Sequence, residues 1–252
     1  MIRTMNLFVL SFLFLMSTHA SAAVFKIYAS EVPPLLEKSG EGVQGLSGVF
    51  GKIVRDKIQK SGHASDFEVV WVPWKRALNQ AAQEKNALFF PLARTTEREN
   101  TYKWLGYLGS VESWFYAVDS RVQIRSNEDL KKYRIGFLSG SMRHEELRKI
   151  LGKRTEKLDG LTEDLGNYRK LLSGRIDIWT TQTEVFEKAE KDYLKEHADA
   201  PKVRAIKKFL DQEVWIVSGN HMSESHQEQI RKIFQSTSQP KQLVGQKVSL
   251  AY

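Results

Sequence analysis

From Val24 onward, short apolar segments of strand character alternate with stretches whose apolar residues recur every three or four positions. That alternation admits α/β architectures with helices packed on a largely parallel sheet and leaves all-helical and all-β folds aside. Val24 to Ser30 reads as a first strand, ended by Pro33-Pro34, and Phe67 to Val72 and Ala87 to Leu92 as the next two. Between them, Leu46, Val49, Phe50, Ile53, Val54 and Ile58 fall at helical spacing, and Gly62 suits the C′ position of that helix. Trp74, Ala77, Leu78, Ala81 and Ala82 form a second stripe.

After Gly109 the pattern begins again. Val111 to Val118 and Arg134 to Leu138 read as strands, with a helical turn at Asn127 to Leu130 between them. Helices are predicted over 143–151 and 165–172, then a strand over Ile176 to Thr180 and a charged helix over 183–197. Val203 to Phe209 and Val214 to Ser218 read as two further strands before a helix over 223–236. Two similar halves with a returning C-terminal segment imply two lobes, the chain crossing between them near 113–118 and 205–212.

The N-terminus has the marks of an export signal. Arg3 precedes the apolar run Leu7 to Met16, and Ala20-Ser21-Ala22 fits the small-x-small pattern of a cleavage site. Ten apolar residues are too few to span a bilayer comfortably. A cut after Ala22 is expected to leave a soluble periplasmic protein, without a lipid anchor on an N-terminal cysteine because no cysteine follows the run.

The chain has no cysteine at all, so an exported form must rely on its hydrophobic core for stability. Loss of Arg3 with the leader lowers the net charge from +8 to +7. That charge suits an anionic ligand or a membrane surface. Acidic residues are interleaved with basic ones throughout, and no basic block marks a nucleic-acid partner.

Three segments carry a family resemblance. The first runs from Val72-Pro73-Trp74-Lys75-Arg76-Ala77 through Phe90-Pro91-Leu92-Ala93-Arg94-Thr95-Thr96-Glu97-Arg98-Glu99 to Tyr102-Lys103-Trp104-Leu105-Gly106. The second is Leu130 to Ser141 (LKKYRIGFLSGS) and the third Leu171 to Asp177 (LLSGRID). In order and spacing they resemble the type II periplasmic solute-binding proteins, and among these the family-3 receptors that serve ABC importers of amino acids. The resemblance implies two α/β lobes joined by crossover strands, with a ligand held in the cleft by hinge closure. Lobe 1 is expected to span 23–114 and 210–252 and lobe 2 115–209, behind a signal peptide over 1–22.

The resemblance also nominates residues. Arg98, in a Thr-x-x-Arg element begun by Thr95 beside Ala93, is expected to fork onto a ligand carboxylate; the competing reading is a surface arginine in the charged run 94–99. Ser141 opens a helix after Ser139-Gly140 and can receive an anion or carbonyl, or serve as an ordinary cap. Met142 stands where the family usually has a second hydroxyl. Gln182 stands five positions beyond Asp177, where amino-acid binders place an acid for the ligand ammonium, and a neutral amide cannot neutralise a buried cation.

Glu31, just after the first strand and beside Pro33-Pro34, where the family's first loop faces the cleft, is the candidate to supply the missing negative charge for a cationic ligand; the competing reading is a solvated loop carboxylate. Trp74, Trp114 and Tyr116 are candidate cleft walls or core aromatics. Arg76 follows the family pattern on a helix, Trp179 reads as core and Asn86 as structural.

No metal, cofactor or catalytic residue is expected. Histidines 63, 144, 197, 221 and 226 lack metal-ligand spacing, no Gly-x-Ser-x-Gly elbow or phosphate-binding loop is present, and His144-Glu145-Glu146 reads as solvated surface. The expected function is capture of a small polar, carboxylate-bearing ligand by a monomer that presents it to an inner-membrane ABC permease. The alternative is a regulatory partner of a membrane sensor ectodomain; an enzyme on this scaffold stands third.

Overall fold

The computed structural model describes residues 25–235, and the signal-peptide reading lies outside the described residues. In chain order the elements are β1 (Phe25–Ala29), β2 (Glu37–Lys38), β3 (Leu46–Ser47), α1 (Gly48–Lys60), β4 (Phe67–Trp71), α2 (Trp74–Gln83), β5 (Ala87–Ala93) and β6 (Tyr102–Ala117). There follow α3 (Asn127–Leu130), β7 (Ile135–Leu138), α4 (Met142–Leu151), β8 (Leu158–Leu161), α5 (Gly166–Leu172), β9 (Ile178–Gln182), α6 (Thr183–Leu194), β10 (Arg204–Gly219) and α7 (Glu224–Phe234).

Eight strands form one sheet in the order β4-β1-β5-β10-β6-β9-β7-β8. At one end β4, β1 and β5 are parallel, and at the other β9, β7 and β8 are parallel. Between them β6 and β10 run antiparallel as a long ribbon shared by both ends. β5 pairs with β10 from Val214 to Ser218, and β9 pairs with β6 from Ser113 to Tyr116. The ribbon therefore belongs to one half at each end and bridges the two at its middle, where Gln212 faces Val111 and Asp211 faces Glu112.

The periodicities reappear as burial. β5 is buried at every residue, as a strand covered on both faces must be. On α1 the buried side chains are Phe50, Val54 and Ile58, with Gly62 in the left-handed region just beyond. Val49, expected on the same stripe, is instead exposed. One apolar cluster fills the first half and continues through Tyr168, Trp179 and Phe186 of the second. A smaller cluster, with Phe137, Leu147, Leu151 and Phe115, lies across the second half.

The short strands β2, β3 and β8 escaped the sequence reading, β9 lies two residues later than expected, and the largest differences are in the ribbon. The strand placed at Val111 begins at Tyr102, and the two placed at Val203–Phe209 and Val214–Ser218 are the single strand β10. The cause is shared: Gly109 and the polar run Asp211-Gln212-Glu213 look like breaks, yet Gly109 pairs with Val214 and the polar run with Glu112, Val111 and Ser110 across the ribbon, which absorbs the mismatch as register shifts. β8 carries the uninformative sequence Leu-Asp-Gly-Leu and is held by pairing with β7.

Candidate functional site

The C-terminal ends of β1, β5, β7 and β9 point toward one another across the ribbon, so the loops that follow them meet between the halves. A cavity of about 30 Å³ lies there, room for a water or two and not for an amino acid. The first half contributes Leu35, Phe50, Trp74, Ala93 and Arg98; the second contributes Leu138, Ser141, Met142, Arg143 and Gln182; Val111, Gln212 and Val214 come from the ribbon.

Arg98 ends a 3-10 turn over Thr96–Arg98, directly after β5. It is 5% exposed and fully engaged: Nη1 donates to the Ala93 carbonyl at 2.8 Å, and Nη2 to the Gly140 carbonyl at 3.1 Å. Nη2 and Nε also donate to Glu145 Oε1, at 2.6 and 3.1 Å. Glu145 belongs to α4 of the second half, so the charge pair spans the cleft. Thr95 is buried beside it, with its hydroxyl 3.5 Å from Glu145 Oε2.

Gly140 has φ +78°, a left-handed conformation that turns the chain from β7 into α4 and aims its carbonyl at the first half. Trp74 Nε1 donates to that carbonyl at 3.3 Å. Lys149, one helical turn beyond Glu145, pairs with Glu97 of the first half. Glu97 is held at about 2, below the usual carboxylate range, chiefly by the Lys149 hydrogen bond.

Ser141 caps α4: its hydroxyl accepts from the His144 N–H at 3.3 Å and donates to the Leu138 carbonyl at 2.7 Å. His144 is half-buried, stacked on Phe137, and its Nδ1 accepts from the Gly140 N–H at 3.1 Å. Burial, then Arg148 and Lys75, lower its pKa, which favours the neutral ring. His144 and Glu145 are thus packed against the cleft, correcting the reading of both as solvated surface.

Arg143 was not among the expected site residues. It is 1% exposed and pairs through Nη2 with Asp164 Oδ2 at 2.8 Å. Burial lowers its pKa and the Asp164 charge raises it, but guanidinium stays protonated in either case. Asp164 also accepts from Thr181 Oγ1, Trp179 Nε1 and Asn167 Nδ2. Trp179 is therefore a core residue that also orients the buried carboxylate. A serine-capped helix after Ser-Gly was the sequence signal that pointed nearest to Arg143, two residues past the cap.

Other expected residues lie elsewhere. Tyr116 is buried in the second half, stacked on Phe186 with centroids 3.9 Å apart, because β6 turns that residue toward α6; it is core and not cleft wall. Trp114, two residues earlier on the same face of β6, is half-buried against the same apolar cluster, with its Nε1 3.3 Å from Glu112 on its own strand, and does not line the cavity. Arg76 is on the exposed face of α2. Glu31 is exposed, accepts from the Lys38 N–H at 3.0 Å, and lines a wider neighbouring groove with Trp71 and Glu163. Asn86 has φ +58° and its Oδ1 lies 2.7 Å from His226 Nδ1, a structural role.

Neither protein-family models nor characterised proteins match the sequence. Solved structures do. An ancestral arginine-binding protein bound to arginine superposes with TM-score 0.64 at 18% identity, over 86% of this chain and 92% of that one. The arginine-, lysine-, histidine-binding protein ArtJ of Geobacillus stearothermophilus gives 0.67 at 16% identity, over 84% and 87%. A histidine kinase sensor domain similar to periplasmic binding proteins gives 0.67 at 12% identity, over 84% and 90%. The chain has the two-lobed periplasmic binding-protein fold.

Within that fold, β6 and β10 are the crossover strands and the cavity described above is the interlobe cleft. Among the described residues, no cluster of three or more His, Asp or Glu side chains is arranged to hold a metal ion, and no helix is long and apolar enough to cross a membrane.

Proposed function

We propose that the chain is a periplasmic solute-binding protein that closes its lobes on a small, carboxylate-bearing solute and presents it to an inner-membrane ABC permease, without catalysing a reaction. The observation that carries this reading is the cavity between the lobes, walled by side chains from both and bridged by only two strands. A two-strand connection lets the lobes part by small backbone changes, and closure removes the solute from water. Two guanidinium groups, Arg98 and Arg143, line that cavity, which supports an anionic solute. The export-signal pattern of the sequence and the amino-acid-binding neighbours support the periplasmic assignment.

A thermal-shift screen of amino acids, organic acids and short peptides tests it. A solute at one hundred times its Kd stabilises the folded state by about 2.7 kcal/mol, a readily measured rise in midpoint. A folded protein that responds to none of them overturns the proposal.

One observation favours a second reading. Arg98 is satisfied by Glu145 of the opposite lobe, so the lobes can close on an internal carboxylate. A protein whose closure is not wholly dependent on solute suits a regulatory partner that reports its own state to a sensor ectodomain. Capture of a sensor kinase and not a permease from membranes, by the tagged full-length protein, decides between them.

A further inference from the structure

We infer that Arg143, and not Arg98, receives the negative end of the solute, and that the solute is a small amine-free carboxylic acid with an apolar body, its hydroxyl group, where it has one, donating to Gln182. This rests on the solute-binding reading above and names the class of solute.

Three observations carry it. The first is the contrast between the two guanidiniums. Arg98 has partners on all three of its nitrogens, whereas Arg143, buried to 99%, has Nε and Nη1 without a partner among the described residues. A buried guanidinium N–H that meets no acceptor is costly, and native proteins rarely leave one so. Arg143 lines the cleft cavity, so an oxygen anion there is in a position to meet those donors.

The second is that Asp164 does not complete Arg143. That carboxylate is shared among four donors, from Arg143, Thr181, Trp179 and Asn167, and meets only Nη2 of the guanidinium. It neutralises and orients Arg143 through Nη2 and leaves Nε and Nη1 without an acceptor among the described residues.

The third is what the cavity lacks. Its lining contains no carboxylate: Glu145 adjoins Arg98, Asp164 is behind Arg143, and Glu31 lies in the neighbouring groove. An ammonium group enclosed there would have no counter-charge. What the wall does offer is Gln182, whose Oε1 is buried and has no donor among the described residues. A neutral acceptor suits a hydroxyl. Phe50, Val111, Leu138 and Val214 complete an apolar surface that the solute's body meets in a form whose lobes are parted more widely than in this structure, where the cavity is about 30 Å³.

The test is isothermal titration of the full-length mature protein with four probes of one carbon skeleton or near it: isocaproate, hydroxyisocaproate, leucine and isoamylamine, with arginine added. Hydroxyisocaproate is expected to bind tightest, isocaproate next, and leucine, arginine and the amine at least tenfold more weakly. Arg143→Lys keeps a cation beside Asp164 but removes the fork, and is expected to weaken hydroxyisocaproate at least tenfold. Arg98→Lys, which acts through lobe closure, is expected to weaken all the probes by a similar factor and keep the preference for hydroxyisocaproate over leucine, a preference that Arg143→Lys loses. Where Arg143→Lys fails to fold, Gln182→Glu serves: a carboxylate in the wall repels the acid at least tenfold and raises the affinity for leucine.

Binding of leucine or arginine in preference to the acids overturns the solute class while solute binding stands. An acid preference that Arg98→Lys removes and Arg143→Lys keeps overturns the role of Arg143. No binding by any probe removes this inference, and if the wider thermal-shift screen is also blank, the solute-binding reading falls with it.

Discussion

The Arg98 guanidinium and the Glu145 carboxylate meet at 2.6 Å across the cleft, one from each lobe, with the arginine almost wholly buried and the glutamate 30% exposed. This pair, with the Gly140 carbonyl shared by Arg98 and Trp74, fixes how the lobes close. Glu145→Gln keeps the shape and removes the charge. Leaving the buried guanidinium short of its counter-ion is expected to cost about 1–3 kcal/mol of the closed state. The equilibrium then shifts about fivefold to more than a hundredfold toward open forms. Small-angle scattering checks this, through a larger radius of gyration than that of the unsubstituted protein under the same conditions. An unchanged radius means that apolar contact between the lobes, and not the ion pair, holds them.

The second interlobe pair, Glu97 with Lys149, makes closure depend on pH and salt. Its Lys149 partner holds Glu97 in the closed form at about 2, below the usual carboxylate value. A carboxyl whose pKa is depressed stabilises the form that depresses it at pH above the ordinary value, and loses that contribution as pH falls toward the depressed one. Closure is therefore expected to weaken between about pH 4.5 and about pH 2. The pair is solvent-exposed, so 0.5 M salt at neutral pH is expected to loosen closure in the same sense. An interlobe fluorescence distance followed through both titrations reads it, and Glu97→Gln should flatten both responses.

Gly106, inside β6, marks a packing limit in the first lobe. A Cβ built there would lie 2.3 Å from Phe234 Cβ and 3.2 Å from Ile216 Cγ2, so α7 sits directly on the bare backbone. Gly106→Ala is expected to cost about 1–3 kcal/mol through overpacking. The midpoint of thermal unfolding should fall by about 2–4 °C per kcal/mol for a chain of this size. Unchanged melting would mean that α7 moves away freely.

These relationships differ in how far the sequence disclosed them. The parallel strands other than β8 were legible because burial on both faces leaves nearly unbroken apolar runs, as in Ala87 to Ala93. The ribbon was read in pieces because Gly109 and Asp211-Gln212-Glu213 resemble loops when only local composition is considered. Long-range pairing decides there, and no local window contains it. Arg98 was legible through its Thr-x-x-Arg spacing, but its partner was not: Glu145 lies 47 residues away on another lobe, in a run that looks solvated. Arg143 and Asp164 were missed for the same reason, since buried charges resemble surface charges until the fold removes them from water. Tyr116 and Trp114 share one face of β6, and that face packs on the core of the second lobe rather than on the cleft, which local composition does not disclose.

Asp164 offers the sharpest test of that buried pair. The Arg143–Asp164 salt bridge has side-chain exposures of 1% and 3%, so neither charge has recourse to water. Asp164→Asn removes the negative charge and leaves the guanidinium buried and uncompensated, which is expected to cost about 3–5 kcal/mol. Removing both charges should be less damaging than removing one. Arg143→Met in the Asp164→Asn background eliminates the stranded cation, and part of the lost stability is expected to return, a non-additivity of about 1–3 kcal/mol between contacting residues. Urea unfolding of the two single variants, the double variant and the unsubstituted protein gives the cycle. Additive losses would show that the two groups stabilise the lobe independently, through Trp179 and Thr181 on one side and packing on the other.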